Sequence, residues 1–165
     1  MMSMDDKKQI QLDRMRFTKN TLGSRLVYLA ILFDVLYFVS VYESDVGTWY
    51  YQALIGVSIV YNLVFLLAAF LASESVKNRK NGYTAIIVVL GIIQIARIFI
   101  LPVKAHVATA LVNGVEVAVM GDGQYMYVVG CLVASAVCCF VAAVTSARNN
   151  KILADYMASI ENHAA

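Results

Sequence analysis

Asp34 and Arg97 are the two charged side chains that fall inside long apolar stretches of this chain, and any chemistry open to it starts from them. A charge at the middle of a bilayer costs at least about 2.5–3.5 kcal/mol on insertion scales, so each must have a compensating partner or a use. Asp34 lies eight residues before Tyr42, and Arg97 lies six before Val103, where their apolar stretches end. At a rise of roughly 1.5 Å per residue, the two sit about 12 and 9 Å below the same boundary. An arginine side chain spans that difference in level. The spacing therefore predicts an Asp34–Arg97 ion pair between the first and third apolar segments, which a charge-swapped double variant should partly preserve.

Other polar residues fall at helical spacing around this pair. Tyr37 is one turn from Asp34, Ser58 and Asn62 share a face of the second segment, and Gln94 precedes Arg97 by three residues with Gly91 a turn further on. Such a set can glue helices together, hold an ion, proton or small solute, or meet a partner's membrane helices. Glue is the preferred reading, because Asp34 has a cation at its own depth and the set is too sparse to line an aqueous path. No catalytic residue is expected. His106 and His163 lie far from Asp34, and the chain has no HExxH, no GxSxG and no phosphate-cradling glycine loop. Cys131, Cys138 and Cys139 share one apolar stretch without paired metal-ligand spacing, so they read as small buried hydrophobes. Neither a metal site nor a cofactor is expected.

The elements that position these residues follow from composition. Of 165 residues, 61% are hydrophobic and 15% charged, against about half and about a quarter in soluble domains. That balance cannot solvate a surface in water, and lipid removes the need. Four stretches reach the roughly 20 residues that cross a bilayer: 26–42, 50–72, 82–103 and 125–145. Several are rich in Val and Ile, but their length decides for helices, since an open sheet in lipid leaves backbone groups unpaired. The expected fold is an all-α membrane protein, a single four-transmembrane-helix bundle over 1–165. In the fourth span Gly130, Ala134, Cys138 and Ala142 recur every four residues, a spacing that permits close helix approach. This stripe is expected to pack inward or against another subunit.

Eleven of the thirteen Lys and Arg residues lie on one side of these spans: Lys7, Lys8, Arg14, Arg16, Lys19 and Arg25 in segment 1–25, Lys77, Arg79 and Lys80 between spans two and three, and Arg148 and Lys151 after span four. Lys104 alone lies opposite, so both termini are expected in the cytoplasm of a plasma-membrane, multi-pass protein. Glu43 and Asp45 in the first outer loop agree with this. Tyr42, Trp49, Tyr50, Tyr51, Tyr125 and Tyr127 read as interfacial belt anchors. In the outer loop 104–124, Asn113-Gly114 between two β-prone runs predicts a hairpin with a type I′ turn, expected as a flap over the outer mouth of the bundle. Residues 147–162 carry Ile152, Leu153, Tyr156, Met157 and Ile160 at helical spacing and predict a separate amphipathic cytoplasmic helix. The amino-terminal segment, with weaker periodicity, is expected either at the anionic inner surface or as a solvated basic tail.

The four-span plan with an acidic residue in the first span resembles that of the small multidrug transporters. Those proteins use a glutamate and much shorter loops, so the resemblance is one of plan and no site is carried over. Claudin and tetraspanin patterns are not met, since the outer loops have no cysteines. The functional expectation is a non-enzymatic accessory or scaffold subunit of a larger membrane assembly of transport type. The alternative is a small self-contained transporter or channel working through Asp34, Asn62, Gln94 and Arg97. The expected partners are the lipid bilayer and other membrane subunits or further copies of the chain. The small net charge of +2 argues for no nucleic acid.

Overall fold

The computed structural model describes residues 4–42, 49–80 and 82–164. Its elements in chain order are α1 (Met4–Phe17), α2 (Thr21–Tyr42), α3 (Trp49–Lys77), α4 (Tyr83–Ile98), α5 (Pro102–Val107), strands β1 (Thr109–Val112) and β2 (Val115–Ala118), and α6 (Asp122–Ala164). Four helical stretches are long and apolar enough to cross a membrane: Thr21–Val41, Ile55–Lys77, Tyr83–Val107 and Asp122–Glu161. Their outward faces carry exposed Leu, Val and Ile, among them Leu63, Leu67, Ile92 and Val144, which suits lipid and not water.

Helix α6 is the centre of the arrangement. Both α2 and α4 pack along it, and α3 packs chiefly on α2, with a looser seam to α4. Close packing depends on small residues. Ala30, Ala69, Ala72, Cys139, Ala142 and Ala143 surround Phe65 and Ile87 in one buried cluster. Tyr37, Val41, Leu101, Val128, Cys131 and Leu132 form a second, towards the hairpin end. Gly91 is needed where α4 meets α6, because a Cβ there would come within 3.0 Å of the Phe140 ring.

Four expectations are revised. The third span is not one helix: α4 stops at Ile98 and α5 starts with Pro102 at its first turn, since proline has no N–H to continue the ladder from one helix into the other. The tail is not a separate helix, because no Gly or Pro interrupts the chain after Gly130 and α6 runs unbroken for 43 residues. The Gly130, Ala134, Cys138, Ala142 stripe does not stay on one face. Each four-residue step overshoots a full turn by about 40°, so the row starts at exposed Gly130 and ends at buried Ala142. Finally, the hairpin is no flap pressed on the bundle. β1 and β2 pair antiparallel, with Val112 opposite Val115, and Asn113 and Gly114 both take positive φ, 54° and 81°. Yet β2 is exposed along its length and Leu111 is 74% exposed. The hairpin rests on α5.

Residues Glu43 and Asp45 and the side chains of Tyr42, Trp49, Tyr50 and Tyr51 lie outside the described residues. Of the proposed belt, Tyr127 is exposed and Tyr125 stacks on His106 with centroids 4.3 Å apart. Segment α1 is helical and packs on the extension of α6, where the Tyr156 hydroxyl donates to Asp13.

At the basic end, Asn20 ties three helices together. Its Oδ1 accepts from the Gly23 N–H and so caps α2. Its backbone N–H donates to the Lys77 carbonyl at the end of α3, and its Nδ2 donates to Ser146 Oγ of α6. The approach is close enough that a Cβ at Gly23 would lie 2.4 Å from Ser146 Oγ. A turn away, Ser24 and Ser73 join α2 to α3 at 2.8 Å. Helix α3 then ends in a Schellman turn: the Arg79 N–H bonds to the Val76 carbonyl and the Lys80 N–H to that of Ser75. The residue at the left-handed position is Arg79, with φ 55°, where glycine is the usual occupant and an L residue costs roughly 1–2 kcal/mol.

Candidate functional site

The buried polar residues of α2, α3, α4 and α6 converge within the membrane-spanning part of the bundle. Asp34, on the buried face of α2, is fully enclosed, and Arg97 on α4 is 4% exposed. Arg97 Nη1 donates to Asp34 Oδ1 at 2.8 Å. The same carboxylate oxygen accepts from Gln94 Nε2 at 2.9 Å, one turn back along α4. Gln94 Nε2 also donates to Ser135 Oγ of α6 at 3.1 Å, and Ser135 donates to the Ala30 carbonyl of α2 at 2.9 Å. The other arm of the guanidinium, Nη2, donates to Ser58 Oγ of α3 at 3.0 Å.

Two aromatic rings complete the arginine's surroundings. Its guanidinium carbon lies 4.3 Å from the Tyr37 ring centre and 4.5 Å from that of Tyr61. Ring faces are negative in potential and stabilise a cation, most strongly where water is excluded. A carboxylate, a hydroxyl and two ring faces together surround the planar guanidinium, and a lysine could not reproduce that fork.

The structure therefore brings together Asp34, Tyr37, Ser58, Gln94 and Arg97. Asn62 is buried one turn along α3 from Ser58, but its Oδ1 has no hydrogen-bond partner among the described residues, nor do Asp34 Oδ2, Gln94 Oε1 or the Tyr61 hydroxyl. Two members went unmarked in the sequence. Ser135 is the only serine within 125–145 and could have been singled out on that ground. Tyr61 gave no signal, since a tyrosine in an apolar run reads as packing. The junction residues Asn20, Ser24, Ser73 and Ser146 were also missed, although Asn20 just before a helical apolar run is a readable cap.

Between α3 and α4 a cavity of about 100 Å³ is lined by Val57, Ser58, Tyr61, Ile93, Ala96, Arg97, Ile100 and Leu101. It lies in the loose seam between these helices, with apolar walls and Arg97, Ser58 and Tyr61 as its polar members. Among the described residues no group of three or more His, Cys, Asp or Glu side chains could hold a metal ion. The cysteines Cys131 and Cys139 are buried in the two core clusters, and Cys138 packs beside the first.

Helical spans, apolar outer faces and an internal polar cluster define the class: a multi-pass α-helical membrane protein. No family model, curated protein or solved structure matches the chain.

Proposed function

We propose that this protein is a non-enzymatic subunit of a larger membrane assembly, acting as an accessory or scaffold element with both tails in the cytoplasm. The observation that carries this reading is the commitment of both intramembrane charges to each other, 2.8 Å apart and shielded from solvent. A carrier that cycles an ion or proton through Asp34 needs that carboxylate released at some stage, and here Arg97 and Gln94 both hold its Oδ1. The hairpin supports the same reading. An isolated two-stranded sheet is marginal in water, and this one exposes Leu111, Val115 and Val117, side chains that a partner subunit would cover.

The test is extraction from native membranes in mild detergent. The intact chain should migrate as a defined complex larger than its own oligomer, and replacing Thr109–Ala118 by a Gly-Ser loop should release it as a free, folded bundle. A free wild-type chain under those conditions would defeat the proposal.

One observation favours a second reading, a small self-contained transporter: the cavity between α3 and α4, which has Arg97 and Ser58 in its wall. On that reading the chain reconstituted alone moves a solute or dissipates a proton gradient, and Asp34→Asn abolishes the flux.

A further inference from the structure

At the basic end of the bundle a shallow cavity of about 200 Å³ lies between the α3–α4 turn and the extension of α6, lined by Arg79, Asn150, Leu153, Ala154 and Met157. Its polar members are incompletely satisfied. Arg79 Nε donates to the Thr18 carbonyl at 3.3 Å, but Nη1 has no hydrogen-bond partner among the described residues, and neither does Asn150 Oδ1. No carboxylate among the described residues pairs with this guanidinium; the nearby Glu74 is taken by Lys77 and Tyr28. A partly buried cation without a counter-ion is costly, and burial holds the Arg79 guanidinium below its ordinary value.

The backbone points the same way. Arg79 occupies the left-handed position of the turn, φ 55°, which any L side chain strains and glycine would relieve. A strained, desolvated and unpaired arginine at one position implies that the guanidinium is wanted there. Exposed Lys80, Arg148 and Lys151 flank the two polar residues in sequence and raise the local positive potential. Asn150 stands five residues beyond Thr145, about 7.5 Å along α6, which is the depth of a headgroup layer.

We propose that this cavity binds a phosphoryl anion that also carries a hydroxyl. Arg79 Nη1 and Asn150 Oδ1 are covered in this structure and turn towards the cavity on binding: Arg79 then donates to the phosphoryl oxygens in the fork geometry that suits them, the Asn150 amide adds a donor through Nδ2, and Asn150 Oδ1 accepts from the hydroxyl. Leu153, Ala154 and Met157 form the apolar floor. Two sources supply this chemistry: the phosphodiester and hydroxyls of an anionic lipid such as phosphatidylglycerol, and free hydrogen phosphate.

The test uses the full chain in phosphatidylcholine nanodiscs. In one arm inorganic phosphate is titrated by calorimetry. In the other, nanodiscs with a minor fraction of phosphatidylglycerol are examined by native mass spectrometry for retained lipid. Arg79→Gly keeps the turn, so it should fold with an undiminished melting temperature while binding about tenfold more weakly, the loss of one charge-assisted contact. Lys80→Gln, which removes one charge from the exposed surround, should weaken binding far less than Arg79→Gly does. Retention of phosphatidylglycerol without a phosphate response supports the site with lipid as its source, and the reverse supports it with free phosphate. Equal binding by Arg79→Gly, an equal loss in Lys80→Gln, or no binding of either probe by the wild-type chain would overturn the assignment.

Discussion

Asp34 Oδ1 and Arg97 Nη1 meet at 2.8 Å across the interior of the bundle, although α2 and α4 each make their main packing against α6. The pair therefore works as a crossbrace, with Ser135 of α6 linked in through Gln94 and Ser58 of α3 through the second arm of the guanidinium.

Removal of one partner leaves the other charge buried and unpaired, which costs about 3–5 kcal/mol. Asp34→Ala and Arg97→Ala should each lose stability on that scale in detergent unfolding. The joint change Asp34→Leu with Arg97→Met should cost much less than the sum, because no charge remains to be compensated. The charge-swapped pair should recover only part, since Ser58 and the Tyr37 and Tyr61 rings are placed to receive a guanidinium from α4. Ser135→Ala should cost about 0.6 kcal/mol, the mean for a hydrogen bond between membrane helices. Additive single and double variants would show that the contact does no bracing.

Two glycines should behave in opposite ways. Gly23→Ala drives a Cβ to 2.4 Å from Ser146 Oγ and 3.1 Å from Val76, so it should destabilise the bundle by about 1–3 kcal/mol. Adding Ser146→Ala should recover some of that loss. Gly130→Ala meets nothing within 4 Å and should be neutral or mildly stabilising, by up to about 1 kcal/mol. Thermal midpoints of the three variants and the wild-type chain in one detergent decide the matter.

At the turn after α3, Arg79→Gly relieves a left-handed L residue. In uncharged lipid and without phosphate it should raise stability by about 1 kcal/mol. A loss of stability under those conditions would mean that the Arg79–Thr18 contact outweighs the backbone strain.

The hairpin should unfold on its own. Gly114→Val places a β-branched residue at φ 81°, which only glycine adopts readily. Amide exchange over Thr109–Ala118 should rise sharply while exchange in α2, α4 and α6 stays as in the wild-type chain. Accelerated exchange throughout the spans would instead make the hairpin an integral part of the bundle.

Local chemistry determined much of this protein from its sequence alone. The four long apolar stretches, the matching levels of Asp34 and Arg97 along their helices and the positive-φ turn at Asn113-Gly114 each depend only on residues close together in the chain, so length and spacing were enough. Helix neighbours, the inward face of α6 and the placing of Arg79 and Asn150 at one cavity were decided by tertiary structure. In water an apolar stripe marks the inside of a helix, but lipid is as apolar as the core, so hydrophobic pattern cannot orient a membrane helix. Shape does that instead: Ala142 and Cys139 are buried because they fit against α2 and α4, while Gly130, just as small, faces outward.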